Sequence, residues 1–143
     1  MHLALSPVVE QLKQGGYRNV EGLLEFADLR EAPRAMPYLA VVPISEDAEG
    51  NKLSGRRDQL VYAGLSIMIV LDASRRHTAG IAEDVKTETD RVKDIVVGWT
   101  HPEASRPFDY RGGRLVQRLS SAGGSAVVWE VRVMAPYHLR KAS

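Results

Sequence analysis

Gln59-Leu-Val-Tyr-Ala-Gly-Leu-Ser-Ile-Met-Ile-Val-Leu71 is the longest β-rich run in the chain. Side chains of a strand repeat every two residues, so Val61, Ala63, Leu65, Ile67, Ile69 and Leu71 share one face. That face is expected to be core. Tyr62, Gly64, Ser66, Met68 and Val70 lie opposite and are rather apolar for a surface in water. They call for a second cover, either another part of the chain or another subunit. Directly downstream, Ile81, Val85, Val92, Ile95, Val96 and Trp99 recur at helical spacing, which predicts an amphipathic helix over 78–98. Glu83, Asp84, Lys86, Asp90, Arg91, Lys93 and Asp94 fill its outer, solvated side.

Working back toward the N-terminus, Tyr38-Leu-Ala-Val-Val42 reads as a strand ended by Pro43. Residues 44–58 are polar with two glycines and read as a long exposed hairpin loop, a length that is usually functional or disordered. Leu5, Val8, Val9 and Leu12 form a helical stripe. Ser6 serves as its N-cap, Pro7 suits its first position, and Gly15-Gly16 stops it. Asn19-Val20-Glu21 reads as a short edge strand. Leu23, Phe26, Ala27 and Leu29 suggest a short helix that ends before Pro33.

Beyond the long helix, Thr100 to Gly113 is expected to be a loop. Arg114 to Ser120 and Ala126 to Ala135 then form a hairpin across Ser121–Ser125. Val127, Trp129, Val131 and Val133 face the core, whereas Glu130 and Arg132 face out, with Arg118 a partner for Glu130. Residues 138–143 read as a frayed basic tail.

The 143 residues fit one domain, expected over 1–143. A domain this size buries most of its apolar surface without disulfides, and the chain has no cysteine. A disulfide scaffold, a thiolate metal site and a cysteine nucleophile are thereby excluded. The N-terminal run lacks a basic start and does not resemble a signal peptide. Leu65 to Leu71 is too short to span a bilayer, so a soluble protein without membrane association is expected.

Net charge is only +1, but it is unevenly placed. Residues 1–98 hold 12 Lys/Arg against 15 Asp/Glu, whereas 99–143 hold 7 against 3. Such asymmetry either orients one subunit against another or simply mixes within the folded domain.

Chemistry is sparse. His2, His77, His101 and His138 lack metal-ligand spacing with one another or with carboxylates. Gly123-Gly-Ser125 lacks the closing glycine and the strand-to-helix context of a nucleophile elbow. No phosphate loop or dinucleotide fingerprint occurs. Asp47, Glu49, Asn51 and Asp58 match a calcium loop only in part, since the glycine stands two positions early and the last ligand is not Glu. Arg56-Arg57 and Arg111, Arg114 and Arg118 are the basic clusters. Tyr110 is the lone stacking candidate nearby, too little for a nucleic-acid groove. These clusters read as surface ion pairs or as contacts across a subunit interface, where Arg is enriched.

The order Pro37-Tyr-Leu-Ala-Val-Val-Pro-Ile-Ser-Glu46, then Gly50-Asn51, then Gly55-Arg-Arg-Asp-Gln59 leading into the long strand, resembles the tail terminator proteins of bacteriophages. Val97-Gly-Trp99 and Tyr110-Arg-Gly-Gly-Arg-Leu115 extend the resemblance, which covers about residues 5–135. It implies an α+β domain, an antiparallel or mixed sheet with helices packed on one face. It also implies a homohexameric ring in the neck region of the virion tail, assembled in the host bacterial cytoplasm. That ring would cap the head-proximal end of the tail tube, stop further tube-protein addition and offer a surface to a neck or head-completion protein. Its action is occupancy of a polymer end, with no catalytic residues, metal or cofactor, and no specific nucleic acid beyond a genome passing through the lumen. The 44–58 loop, with Glu46, Asp47, Glu49, Asn51, Lys52, Arg56 and Arg57, is the first candidate for a tube or neighbour contact. The 100–113 loop is the second, joined by Tyr110, Arg111, Arg114 and Arg118 from the basic cluster that overlaps it. Other readings are a different neck or head-completion ring, a small enzyme, or a nucleic-acid module.

Overall fold

The computed structural model describes residues 3–25, 33, 35–74, 78–121 and 124–142. In chain order the elements are α1 (Ser6–Gln14), β1 (Asn19–Gly22), β2 (Tyr38–Ala48), β3 (Arg56–Asp72), α2 (Thr78–Val96), β4 (Asp109–Ser121) and β5 (Gly124–Ala142). The strands form one sheet in the order β1-β2-β3-β5-β4. All neighbours are antiparallel except β1 and β2, which are parallel. The chain is therefore a single α+β domain built on a mixed sheet.

The apolar alternation of β3 places it at the centre. Leu65, Ile67 and Ile69 are fully buried and sit opposite Val133, Val131 and Trp129 of β5. On the other flank, Ile67 and Ile69 meet Val41 and Leu39 of β2. Both helices cover this face: Val8 and Leu12 of α1 and Val92 and Val96 of α2 join the same cluster. A Cβ on Gly15 would run into the Ile95 side chain, so glycine lets the end of α1 approach α2. The outer side of α2 carries a solvated Lys86–Asp90 pair at 2.6 Å, one helical turn apart. An exposed pair of this kind contributes little.

The segment after α2 is held tightly. Val97 bridges Phe108, the Gly98 N–H donates to Phe108 O at 2.9 Å, and the Phe108 N–H donates to Trp99 O at 3.0 Å. Gly98 adopts φ +85°, a left-handed conformation that ends the helix as its glycine suggests. Phe108 is wholly buried, stacked on Trp99 at 5.9 Å and edge-on to His101. His101 Nδ1 accepts the Glu103 N–H at 3.0 Å, so its proton lies on Nε2, which donates to Ala4 O at 2.8 Å. This fully buried histidine ties the N-terminal segment to the loop.

Several elements differ from the sequence expectation. Pro43 does not end β2. Leu23 N–H donates to Val41 O, so Val41 faces β1, and Pro43, two residues on, faces the same side just past the end of β1. A proline whose missing N–H points off an edge leaves the ladder intact. A register shift between Pro43 and Ser45 absorbs one extra residue, and β2 continues to Ala48. The 44–58 loop thus shrinks to 49–55.

The expected 100–113 loop likewise loses its end to β4, which starts at Asp109. Residues 138–142 are not a frayed tail: they pair with β3 from Arg56 to Leu60. Ser6 is the first helical residue of α1 rather than its cap, and Leu5 precedes it without a side-chain capping bond. The short helix expected through Phe26, Ala27 and Leu29 lies outside the described residues, as do His2 and His77.

The second sheet face has its own cover in part. Tyr38, Ala40, Val42, Met68, Val70, Leu119, Ala126 and Val128 form a second buried cluster, with Leu23, Met36 and Val116 against it. Glu130 lies on this face as its parity predicts, but it is buried (4% exposed) instead of facing water. The sheet order also keeps the charge asymmetry in space. Residues 99–143 contribute β5 and β4 at one side, and the acidic N-terminal part contributes β1 and β2 at the other.

Candidate assembly interface

The eleven sequence candidates fall into two places. The first is an arm made of the far end of β2, the start of β3 and the end of β5. β1 pairs β2 only as far as Val41, and β4 pairs β5 only as far as Met134. Beyond those points three strands run on alone: Ser45–Ala48, Arg56–Gly64 and Ala135–Ala142. One edge of the arm is acidic, with Glu46, Asp47 and Glu49 all exposed. The other side is basic. Arg56, Arg57, Asp58, Arg140 and Lys141 line an open cleft of about 630 Å³ with Leu53 and Gly55.

The arm is ordered by local bonds. Asn51 accepts the Asp58 N–H at 2.9 Å and donates its amide to Leu53 O at 3.0 Å and Arg56 O at 3.2 Å. The Glu49 N–H donates to Leu60 O at 2.8 Å, and Gln59 donates to Glu49 O at 2.9 Å. Asn51 therefore shapes the loop with its own side chain. The Tyr137 hydroxyl reaches across β3 to donate to the Glu46 carboxylate. Burial and that carboxylate push the Tyr137 phenol up to about 12.

Asp58 receives His138 Nδ1 at 2.9 Å and Arg140 Nε at 3.4 Å. The His138 bond first, then the Arg140 charge, hold its carboxyl below the ordinary range. Lys52 touches only Glu49, at 3.9 Å, and Asp47, Arg56, Arg57 and Lys141 have no side-chain partner among the described residues. Of the six exposed large apolar side chains among the described residues, Ile44, Leu53 and Leu139 belong to this arm or border it.

The second place is β4, one of the two edge strands of the sheet. Tyr110 holds Lys93 of α2 over its ring at 4.4 Å. Arg111 sits in a register shift between Tyr110 and Gly112, where glycine is suited to φ +119°. Arg114 Nε meets Glu130 at 3.0 Å and Arg132 Nε meets it at 3.7 Å, while the Ser66 hydroxyl donates to its other oxygen. The expected Arg118–Glu130 pair does not form. Arg118 stands opposite Val127, and the register gives Glu130 to Arg114 instead. Glu130 and Arg140 are ten residues apart on one strand, roughly 33 Å, so the two groups do not converge.

Both places are exposed, charged surfaces of the described residues. No three His, Asp or Glu residues group to hold a metal among the described residues. No helix there is long and apolar enough to cross a membrane. The model of the phage tail terminator protein family matches residues 1–141. The chain belongs to that family. Comparison with curated proteins gives no match. A tail terminator is a structural, non-enzymatic component of the phage tail, and it caps the tail tube. Sequence reasoning missed His138, Arg140 and Lys141 on this terminator. Their signal was the apolar alternation of Ala135, Tyr137 and Leu139, which continues the last strand past Pro136 and fades at Arg140 and Lys141.

Proposed function

We propose that six copies of this chain close head to tail into a ring at the head-proximal end of the tail tube. One ring face binds the last tube ring, and the other refuses further tube protein and receives a neck or head-completion protein. Assembly takes place in the host bacterial cytoplasm, and the ring lies in the neck region of the virion. Residues 1–143 act in this ring as one repeating domain.

The observation that carries the reading is the polarity of the sheet. Its β1–β2 side comes from the acidic part of the chain and its β5–β4 side from the basic part. A head-to-tail contact joins two different surfaces and closes when the rotation per copy fits. Opposite charge on the two sides favours that contact and disfavours like meeting like. Within the ring, the arm carrying Glu46, Asp47, Glu49, Lys52, Arg56 and Arg57 is the first contact region, with Asn51 shaping it. The β4 edge with Tyr110, Arg111, Arg114 and Arg118 is the second.

Native mass spectrometry of the purified chain, alone and with purified tube protein, tests this. A species of six copies is expected, free or on tube ends. A chain that stays monomeric in both settings contradicts it. The double substitution Arg56→Glu and Arg57→Glu is expected to weaken association while the monomer stays folded.

A further inference from the structure

The charges of the arm are arranged in a way that folding does not need. Arg57 and Lys141 stand directly opposite each other across β3 and β5, and both are exposed. Like charges at directly opposed positions destabilise a sheet. Arg56 and Arg140 are their neighbours along the strands, and Asp58 is the only carboxylate of the cleft among the described residues. Asp58 is already engaged by His138 and Arg140. The cleft therefore holds unneutralised positive charge around a partly apolar floor, to which exposed Leu53 contributes.

The opposite edge of the same arm carries the complement. Asp47 has no side-chain partner among the described residues, and Glu49 has only Lys52 at 3.9 Å and the Tyr62 hydroxyl at 3.4 Å. Glu46 stands next to them. Among the described residues, both edges also have unpaired backbone. Ser105 N–H donates to Pro136 O at 2.8 Å, so the Pro136 carbonyl points away from β3. The strand period turns His138 and Arg140 the same way, past the reach of β4. On β2, Glu49 N–H faces β3, so the backbone of Glu46 and Ala48 faces outward.

We infer that the basic cleft of one copy (Arg56, Arg57, Arg140, Lys141) receives the acidic edge (Glu46, Asp47, Glu49) of the next copy. The inference rests on the ring proposed above and names its contact. A rotation that preserves strand direction brings β2 of one copy beside β5 of the next, and these strands are parallel to each other within one chain. The two edges can thus join as a short parallel ladder with a stagger, as strands do when a sheet closes on itself. The incoming carboxylates relieve the Arg57–Lys141 opposition, and that relief is available only in the assembly. A charged rim of this kind also makes assembly sensitive to salt.

The test is a charge swap at positions without an intrachain ion pair, or with a weak one. One variant carries Arg57→Glu and Lys141→Glu, the other Asp47→Lys and Glu49→Lys. Sedimentation velocity is run on wild type, each variant alone and an equimolar mixture, with tube protein absent and present. Thermal melting of each variant reports folding.

Each variant alone is expected to lose at least about tenfold in ring association, with melting near that of wild type. The mixture is expected to restore rings, because each reversed cleft then meets a reversed edge. Wild-type rings together with a mixture that stays dissociated, or with single variants that assemble normally, overturn the pairing and leave the ring reading standing. A wild type that never forms rings, with or without tube protein, overturns the ring reading itself. Fluorescence anisotropy with a short DNA duplex separates the other occupant. Duplex binding lost only in the cleft variant, with its rings intact, would assign the cleft to nucleic acid and overturn the inference.

Discussion

The helix-covered body and the three-stranded arm are continuous in β2, β3 and β5, yet they follow opposite rules. In the body, β3 residues Leu65, Ile67 and Ile69 are fully buried between neighbours that are also apolar. In the arm, the same strand begins with exposed Arg56 and Arg57 and pairs with exposed Arg140 and Lys141. The body satisfies itself within one chain. Among the described residues, the arm keeps opposed like charges, two edges without a neighbouring strand, and exposed Ile44, Leu53 and Leu139. The difference separates what holds the fold from what the fold presents.

Substitutions in the two regions are therefore expected to have different signatures. The largest effect on stability belongs to the body. Phe108→Ala is expected to cost about 3–5 kcal/mol in urea unfolding, because it opens a cavity under Trp99 and His101. Capping is lost with the fold. Next comes Glu130→Gln, which removes the charge that Arg114 and Arg132 face. Both arginines are themselves solvated, so the expected loss is about 1–2 kcal/mol in the same measurement.

Alkaline pH sharpens the contrast in a different way. Burial, with a bond to Glu21 at 3.1 Å, pushes the Tyr38 phenol up to about 12, and Tyr137 is raised to about 12 as well. Burial and Glu88 also raise Tyr17. An unfolded chain ionises its tyrosines near the ordinary value of 10.0, before the folded chain does. These groups are therefore neutral and fully compatible with the fold below pH 10. Stability is expected to fall as pH rises from there through about 12, read by urea melts alongside tyrosinate absorbance.

The smallest effect is at the arm. Asp58→Asn is expected to change stability by less than about 0.5 kcal/mol, since exposed ion pairs contribute little. The depressed carboxyl of Asp58 gives a contribution that is present above its unfolded value and lost as pH falls through the folded one. Its thermal melt at neutral pH checks the first statement, and an NMR titration of the carboxyl checks the second.

The body was legible in the sequence because one face of each element meets core and the other mostly does not. β3 and α2 showed periods of two and of helical spacing for this reason, as did the core side of β5. The apolar second face of β3 correctly pointed to further cover, found in Leu23, Met36 and Val116. The arm was harder because both of its faces meet water. Ser45 to Ala48 and His138 to Ala142 carry no clean alternation, and Pro43 and Pro136 look like breakers although each lies on an outward edge. Glu130 shows the remaining gap. Its face was readable from parity, but its burial depends on Arg114, Arg132 and Ser66 arriving from two other positions on the sheet and one on its own strand. The sequence candidates Arg56 and Arg57 were placed together with residues from the far end of the chain, a contact no local pattern encodes.

The most direct test of the central claim is tail-tube length by negative-stain electron microscopy in phage carrying Arg57→Glu and Lys141→Glu in this chain. The melting temperature of the purified variant is measured alongside. The account predicts a variant as stable as wild type and tubes that run on to irregular lengths, the same outcome it predicts for deletion of the chain. Tubes of normal length joined to heads, with the variant present and its arm charges reversed, would contradict it.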